Sequence, residues 1–174
     1  ITINGNATGS QTTIYGGAGN DHIIINDDPL QAPLAIVGDS NTFFGDTLTL
    51  NGEPGGNNFL ITGFTIDGAG ATISYATIET LIVNGTGGTN TFTVNGTSVP
   101  TYINGASGSD TFTINSSSAP LYLDGGAGDD TFTVNGNSGP LVVTGDAGND
   151  TFTINGNSGS VNLSGGDDND TFTI

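Results

Sequence analysis

The feature that excludes most folds for this chain is a sentence of twenty residues, written four times between Thr91 and Asp170 and begun again at Thr171. It reads TFTVNGTSVPTYINGASGSD, TFTINSSSAPLYLDGGAGDD, TFTVNGNSGPLVVTGDAGND and TFTINGNSGSVNLSGGDDND, followed by TFTI. Self-similarity at such a period marks a solenoid, in which each repeat is one coil that buries its apolar side only against its neighbours. The length of such a chain counts coils rather than the size of one globular core.

Alternation inside the repeat assigns the faces, because successive strand side chains point to opposite sides of a sheet. In TFTI, Phe112 and Ile114 point one way and Thr111 and Thr113 the other, so the apolar pair faces inward. In the second strand Leu121 and Leu123 point in and Tyr122 out. Stacked copies then give an inner line of Phe92, Phe112, Phe132, Phe152 and Phe172, with Val94, Ile114, Val134, Ile154 and Ile174 beside it. Facing these stand Thr101, Leu121, Leu141 and Val161, then Ile103, Leu123, Val143 and Leu163. The expected fold is all-β: a parallel β-solenoid of two sheets, β-roll-like, with about twenty residues per coil and about eight coils, right-handed by the usual connection rule.

The earlier part of the chain carries looser copies. ITINGNATGSQTTIYGGAGND leads into HIII, and PLAIVGD resembles PLVVTGD. The residues just before each T-F-T-like strand are Asp21, Asp46, Asn90, Asp110, Asp130, Asp150 and Asp170, spaced by 25, 44 and then 20 four times. This divides a single solenoid into slightly long coils over 1–46, irregular coils over 47–90, read as two turns, and regular coils over 91–174. Both ends read as strands, which leads us to expect a segment of something longer or an assembly unit.

Composition then narrows the partners. The chain has 17 Asp and Glu, no Lys or Arg and a net charge of −17, so nothing in it can replace the counterions of nucleic-acid phosphates or anionic lipids. We expect no nucleic-acid binding, and no apolar run is long enough for membrane insertion. Cations are the natural partners. Low apolar content with high charge also describes disordered chains, but strict strand alternation within a fixed period does not. Cysteine is absent, so no disulfide holds the fold.

Chemistry concentrates in one turn of the repeat. Gly125-Gly126-Ala127-Gly128-Asp129-Asp130-Thr131-Phe132-Thr133 fits the nonapeptide G-G-x-G-x-D-x-U-x at every specified position, U being a large apolar residue, and residues 16–24 fit it as well. Here the sequence resembles the RTX repeats, the calcium-binding β-rolls of large secreted bacterial toxins, proteases, adhesins and surface-layer proteins. The resemblance implies Ca²⁺ between successive turns, held by carboxylates and backbone carbonyls of Asp21, Asp110, Asp129, Asp130, Asp146, Asp150, Asp167, Asp168, Asp170, Gly126, Gly128 and Gly148. With one nonapeptide per twenty residues, it implies ions along one edge only. Departures occur: the second glycine is Ala106 or Asp146, the fourth is Asp168, the landmark acid is Asn90, and the turn between Asn41 and Asp46 has no glycine pair. Residues 73–85 also look like linking turns in very large repetitive bacterial surface proteins.

Charge argues for cations independently of the resemblance. Asp110, Asp130, Asp150 and Asp170 would stack about 5 Å apart, where like charges repel by roughly 3 kcal/mol per neighbouring pair at an effective dielectric constant near 20. A hard divalent cation with oxygen ligands offsets this, and Ca²⁺ tolerates irregular geometry better than Mg²⁺. The competing reading makes the same Asp and Asn residues Asx-turn formers, hydrogen-bonded in place.

The function expected is structural: a calcium-stabilised repeat segment of an extracellular, cell-surface fibre, surface layer or large adhesin, self-associating end to end or laterally. The alternative is a ligand-binding module, taking ice on the outward T-x-T array of Thr91/Thr93 through Thr171/Thr173, or a glycan as an adhesin does. No enzyme is expected, because the carboxylates follow the repeat rather than a site and His22, the one imidazole, reads as an outward variant at a Thr position. Asn-x-Ser/Thr sequons at Asn6, Asn84, Asn95, Asn115 and Asn162 are what an Asn- and Thr-rich chain contains by chance.

Overall fold

Short runs of alternating apolar and polar residues can bury one face only by pairing edge to edge. The structure, a computed structural model describing residues 1–6, 8–26, 30–39, 45–68 and 70–174, is built from such strands. No helix occurs among the described residues, and so none long and apolar enough to cross a membrane. One sheet contains, in spatial order, β1 (Thr2–Asn4), β3 (His22–Asn26), β5 (Thr47–Asn51), β9 (Thr80–Asn84), β11 (Thr101–Asn104), β13 (Leu121–Ala127), β15 (Leu141–Ala147) and β17 (Val161–Asp167). The other runs β2 (Thr12–Tyr15), β4 (Leu34–Val37), β8 (Ile73–Ala76), β7 (Thr65–Asp67), β6 (Asn58–Ile61), β10 (Thr91–Val94), β12 (Thr111–Ile114), β14 (Thr131–Val134), β16 (Thr151–Ile154) and β18 (Thr171–Thr173). The chain alternates between the two sheets and advances by stacking, which makes a β-solenoid of about eight coils.

Register is strict where the sequence is regular: Thr111 pairs with Thr131, Phe112 with Phe132, Thr113 with Thr133 and Ile114 with Val134. Each coil therefore lays a side chain on its own equivalent. The Phe column expected from the sequence forms, with ring centroids 4.5–4.9 Å apart from Phe92 to Phe172, and it extends one strand further, to Phe59 in β6 at 5.5 Å. Phe59, Phe92, Phe112, Phe132 and Phe152 are fully buried. The facing columns are buried too up to the last coil, where Val161 is exposed and Leu163 partly so; they include Thr101, whose hydroxyl donates to the Val99 carbonyl at 2.9 Å and so carries no unsatisfied group inward. Outside the core, amides form columns of their own: Asn115, Asn135 and Asn155 each donate to the amide oxygen one coil before, at 2.8, 2.9 and 3.0 Å.

The region over 47–90, expected as two irregular turns, gives two strands to the first sheet, β5 and β9, with an antiparallel excursion in the second sheet between them. Chain leaving β5 enters the second sheet at β6, three strand positions beyond β4, then folds back through β7 and β8 to fill the two-strand gap. Thr62 closes the first reversal, its N–H donating to the Thr65 carbonyl at 2.9 Å, and Tyr75 secures the second strand by donating its hydroxyl to the Thr62 carbonyl at 2.6 Å. Burial around that phenol pushes its pKa up to about 12.

The insert also hides a change of side. The strands after Asp21 and Asp46, β3 and β5, lie in the first sheet, whereas those after Asn90 and Asp110, β10 and β12, lie in the second. The landmark residues are thus not one column but two, on opposite edges of the solenoid. The T-x-T pattern could not reveal this, because Thr47-Leu48-Thr49 and Thr91-Phe92-Thr93 alternate identically and only pairing assigns a strand to its sheet. The glycine-poor turn after Asn41 lies, at residues 41–44, outside the described residues.

Because a solenoid is held by nearest-neighbour contacts, core truncation in one regular coil should be severe although the side chain touches only two other coils. Phe132→Ala is expected to cost about 3–5 kcal/mol, and Thr133→Ala, on the outer face of the same strand, less than about 0.5 kcal/mol. Urea unfolding of the two variants checks the contrast.

Candidate cation-binding ladders

The Gly-rich turns of the regular coils join the first sheet to the second, and their backbone is the same whether or not glycine is present. Gly126 and Gly128 have φ of +95° and +133°, and the residues replacing their equivalents, Ala106, Asp146 and Asp168, keep φ of +76°, +75° and +73°. A side chain in that left-handed region costs about 1–2 kcal/mol, so the turn geometry is imposed by the coils above and below. Those coils approach closely: a methyl group at Gly126, Gly128 or Gly148 would collide with the carbonyl oxygen of Ala106, Gly108 or Gly128. These three glycines serve coil-to-coil packing. The glycines that face the acids are the turn-opening Gly105, Gly125, Gly145 and Gly165, which sequence reasoning passed over.

At the end of each turn the landmark side chain folds inward. One of its oxygens accepts the backbone N–H of the equivalent residue one coil earlier: Asn57 to Asn90 at 2.9 Å, Asn90 to Asp110 at 2.5 Å, Asp110 to Asp130 at 2.6 Å, Asp130 to Asp150 at 2.8 Å and Asp150 to Asp170 at 3.0 Å. The column thus does for the turns what the strand ladder does for the sheets. Asp110, Asp130 and Asp150 are each 1% exposed, and the second oxygen of each, Oδ2, is buried with no hydrogen-bond partner. A methyl group at Gly105, Gly125 or Gly145 would come within 3 Å both of that Oδ2 and of the carbonyl oxygen of Gly125, Gly145 or Gly165 respectively. Each niche therefore brings together two acceptors and no donor, a need that a proton or a cation would meet.

The carboxyls register this directly. Burial pushes Asp130 up to about 7, against the opposing backbone hydrogen bond from Asp110, with the like charges of Asp110, Asp150 and Asp124 adding to the rise. Burial raises Asp110 too, less effectively because the Asn90 backbone and side-chain amides both donate to it. Asp150 is raised by burial and by the charges of Asp170, Asp129 and Asp146. With no Lys or Arg in the chain, no side-chain ammonium or guanidinium offsets any of these charges.

Of the remaining acids expected at this edge, all but Asp170 lie outside the column. Asp129, Asp146, Asp167 and Asp168 are exposed, while Asp170, the last member of the column, is partly so. Asp129 Oδ1 accepts the Asn149 backbone N–H at 2.8 Å, starting an outer column of its own. Asp146 lies against Asp124, whose carboxyl is raised first by burial and then by that neighbour. Asp124 was not among the expected ligands, although its place directly before Gly125 was a readable signal. No group of three or more His, Cys, Asp or Glu converges among the described residues. The ladder instead offers one carboxylate per coil together with backbone oxygens.

Asp21 belongs to the opposite edge. Its N–H donates to Asp46 Oδ1 at 2.8 Å, the Asp46 N–H donates to Glu79 Oε2 at 2.6 Å, and the Asp39 N–H donates to Asp46 Oδ2 at 2.8 Å. This second column runs through the first half of the solenoid, so acidic turns occupy both edges in different halves, not one edge throughout. His22 sits on the outer face in register with Thr47 and bonds Thr49 Oγ1 at 2.8 Å through Nε2, as a variant of an outward Thr would.

The pH dependence follows from the raised carboxyls. Between the unfolded value of 3.8 and about 7 the folded chain holds protons that the unfolded chain has released, so stability falls as pH rises through that window. In chelator, the melting temperature is expected to be highest near pH 4 and to drop steadily towards pH 8, and Asp130→Asn is expected to flatten the profile, which thermal unfolding across that range checks. Comparison of the chain with family models, with curated proteins and with solved structures finds no match.

Proposed function

We propose that this chain is a calcium-stabilised structural repeat segment of an extracellular fibre, surface layer or large adhesin, and that its work is extension and stacking. The observation that carries the reading is the run of three buried carboxylates, Asp110, Asp130 and Asp150, each with an unpartnered Oδ2 beside a backbone carbonyl. The residues suited to hold ions are these three with the carbonyls of Gly125, Gly145 and Gly165. Calcium would supply positive charge and an irregular shell of oxygen coordination there. Calcium modules that work outside cells bind in the 0.1–1 mM range, which suits a ladder with only one carboxylate per coil.

The last coil presents apolar side chains. Phe172 and Ile174, whose equivalents Phe152 and Ile154 lie under a further coil, are 45% and 91% exposed. With Ile154, Val161 and Leu163 they line a cavity of about 660 Å³. In about 5–10 mM CaCl₂, several-fold above the binding range of extracellular calcium modules, the melting temperature should rise by several degrees over that in EGTA. Identical melting curves and circular dichroism in the two conditions would remove calcium from the reading.

A second reading is favoured by one observation, the in-register Thr columns on the outer face of the second sheet, Thr91 through Thr171 and Thr93 through Thr173. Two straight rows of hydroxyls and methyls are the kind of surface that orders water, and this reading takes ice as the ligand. It expects thermal hysteresis that Thr131→Tyr abolishes, and equal hysteresis in the two proteins would dispose of it.

A further inference from the structure

Four successive niches on the regular edge have the same backbone and two different fillings. The niche at Gly85 holds Asn90 Nδ2 and the Gly105 carbonyl oxygen, and those at Gly105, Gly125 and Gly145 hold an Asp Oδ2 and the next carbonyl oxygen. In the first niche the contact is satisfied. Asn90 Nδ2 donates to the Gly105 carbonyl at 3.0 Å, to the Gly88 carbonyl at 3.1 Å and to Asp110 Oδ1 at 3.0 Å. In the other three, the oxygen at the same position has no hydrogen and no partner. The amide orientation is fixed by its surroundings: Asn90 Oδ1 accepts both the backbone N–H and the Nδ2 of Asn57, at 2.9 Å each, and a flipped amide would set oxygen against oxygen. One coil earlier Asn57 Nδ2 fills the corresponding niche at Gly52, donating there to the Glu53 carbonyl of its own turn at 3.0 Å and to Asn90 Oδ1 at 2.9 Å.

We propose that Asn90 and Asn57 are built-in stops on the ion column: their amide nitrogens take the place that a cation takes in the niches of Asp110, Asp130 and Asp150, so the column is metal-free at these two coils by construction. The amide brings to the carbonyl oxygens the positive hydrogens that an ion would replace with its charge. The stop lies where the two acidic columns change over. The column of Asp21, Asp46 and Glu79 occupies the opposite edge of the coils in which this edge carries Asn57 and Asn90. The landmark acids thereby keep to one edge of each half, and the two columns are never set across the core from one another in the same coils.

The inference rests on the calcium reading above, and the experiment separates the two. Calcium bound per chain is counted by equilibrium dialysis for wild type, Asn90→Asp and Asp130→Asn, with melting in EGTA recorded alongside. Expected are one more ion in Asn90→Asp than in wild type, at least one fewer in Asp130→Asn, and a melting temperature in EGTA lower than wild type for the first variant and higher for the second. Wild type that binds no calcium overturns the calcium reading and this one together. Wild type that binds calcium while Asn90→Asp binds the same number overturns the stop alone. If Asn90→Asp does not fold in EGTA, Asp130→Asn decides: an unchanged ion count, or a lower melting temperature in EGTA, shows that an amide does not replace the ion and overturns the proposal.

Discussion

Parallel stacking in register makes every side chain the neighbour of its own equivalent, and the rest of this molecule depends on that constraint. For some residues it is favourable. Phenylalanine rings stack face on face at 4.5–5.5 Å along the core, asparagine amides chain donor to acceptor along the outer corners, and threonines line up into rows. Each such column is self-complementary, so one solved coil can be copied without new design. The same rule turns one aspartate into a column of like charges.

The fold answers that cost by half. One carboxylate oxygen per coil is tied to a backbone N–H of the neighbouring coil, which makes the acid part of the turn's hydrogen bonding and explains why it points inward. The second oxygen remains beside a carbonyl, and burial raises the carboxyls because the charged form has lost its water. A proton, a cation or an amide each satisfies the niche. Asn90 shows the amide solution within the same column, at one coil's distance from the unsatisfied one. Structural and ionic readings of the landmark acids, which the sequence sets against one another as Asx turn or ligand, are here two ends of the same carboxyl.

Some expectations survived because they rest on alternation alone. Phe112 inward and Thr113 outward, or Leu121 inward and Tyr122 outward, follow from the period of two. What the motif glycines do depends on the neighbouring coils instead. Gly126 and Gly128 stand out in the motif because of their left-handed backbone, but they give close coil contact, and the niche is formed by Gly125, whose φ is ordinary and whose missing Cβ is what makes room for Asp130.

The sequence by itself determined the solenoid, its period, the inner and outer faces of each strand and the buildup of negative charge in the turns, since all of these are local patterns repeated along the chain. Only the tertiary structure decided which edge each turn occupies, that Phe59 joins the Phe column from within an antiparallel insert, and that Asn90 stands in the same niche as Asp110 with its hydrogen bonds complete. The physical reason is that a strand's alternation is the same in either sheet. Which sheet it joins, and hence which edge its acid lies on, is fixed by hydrogen bonds to residues twenty to forty positions away, and those partners leave no mark on the strand itself.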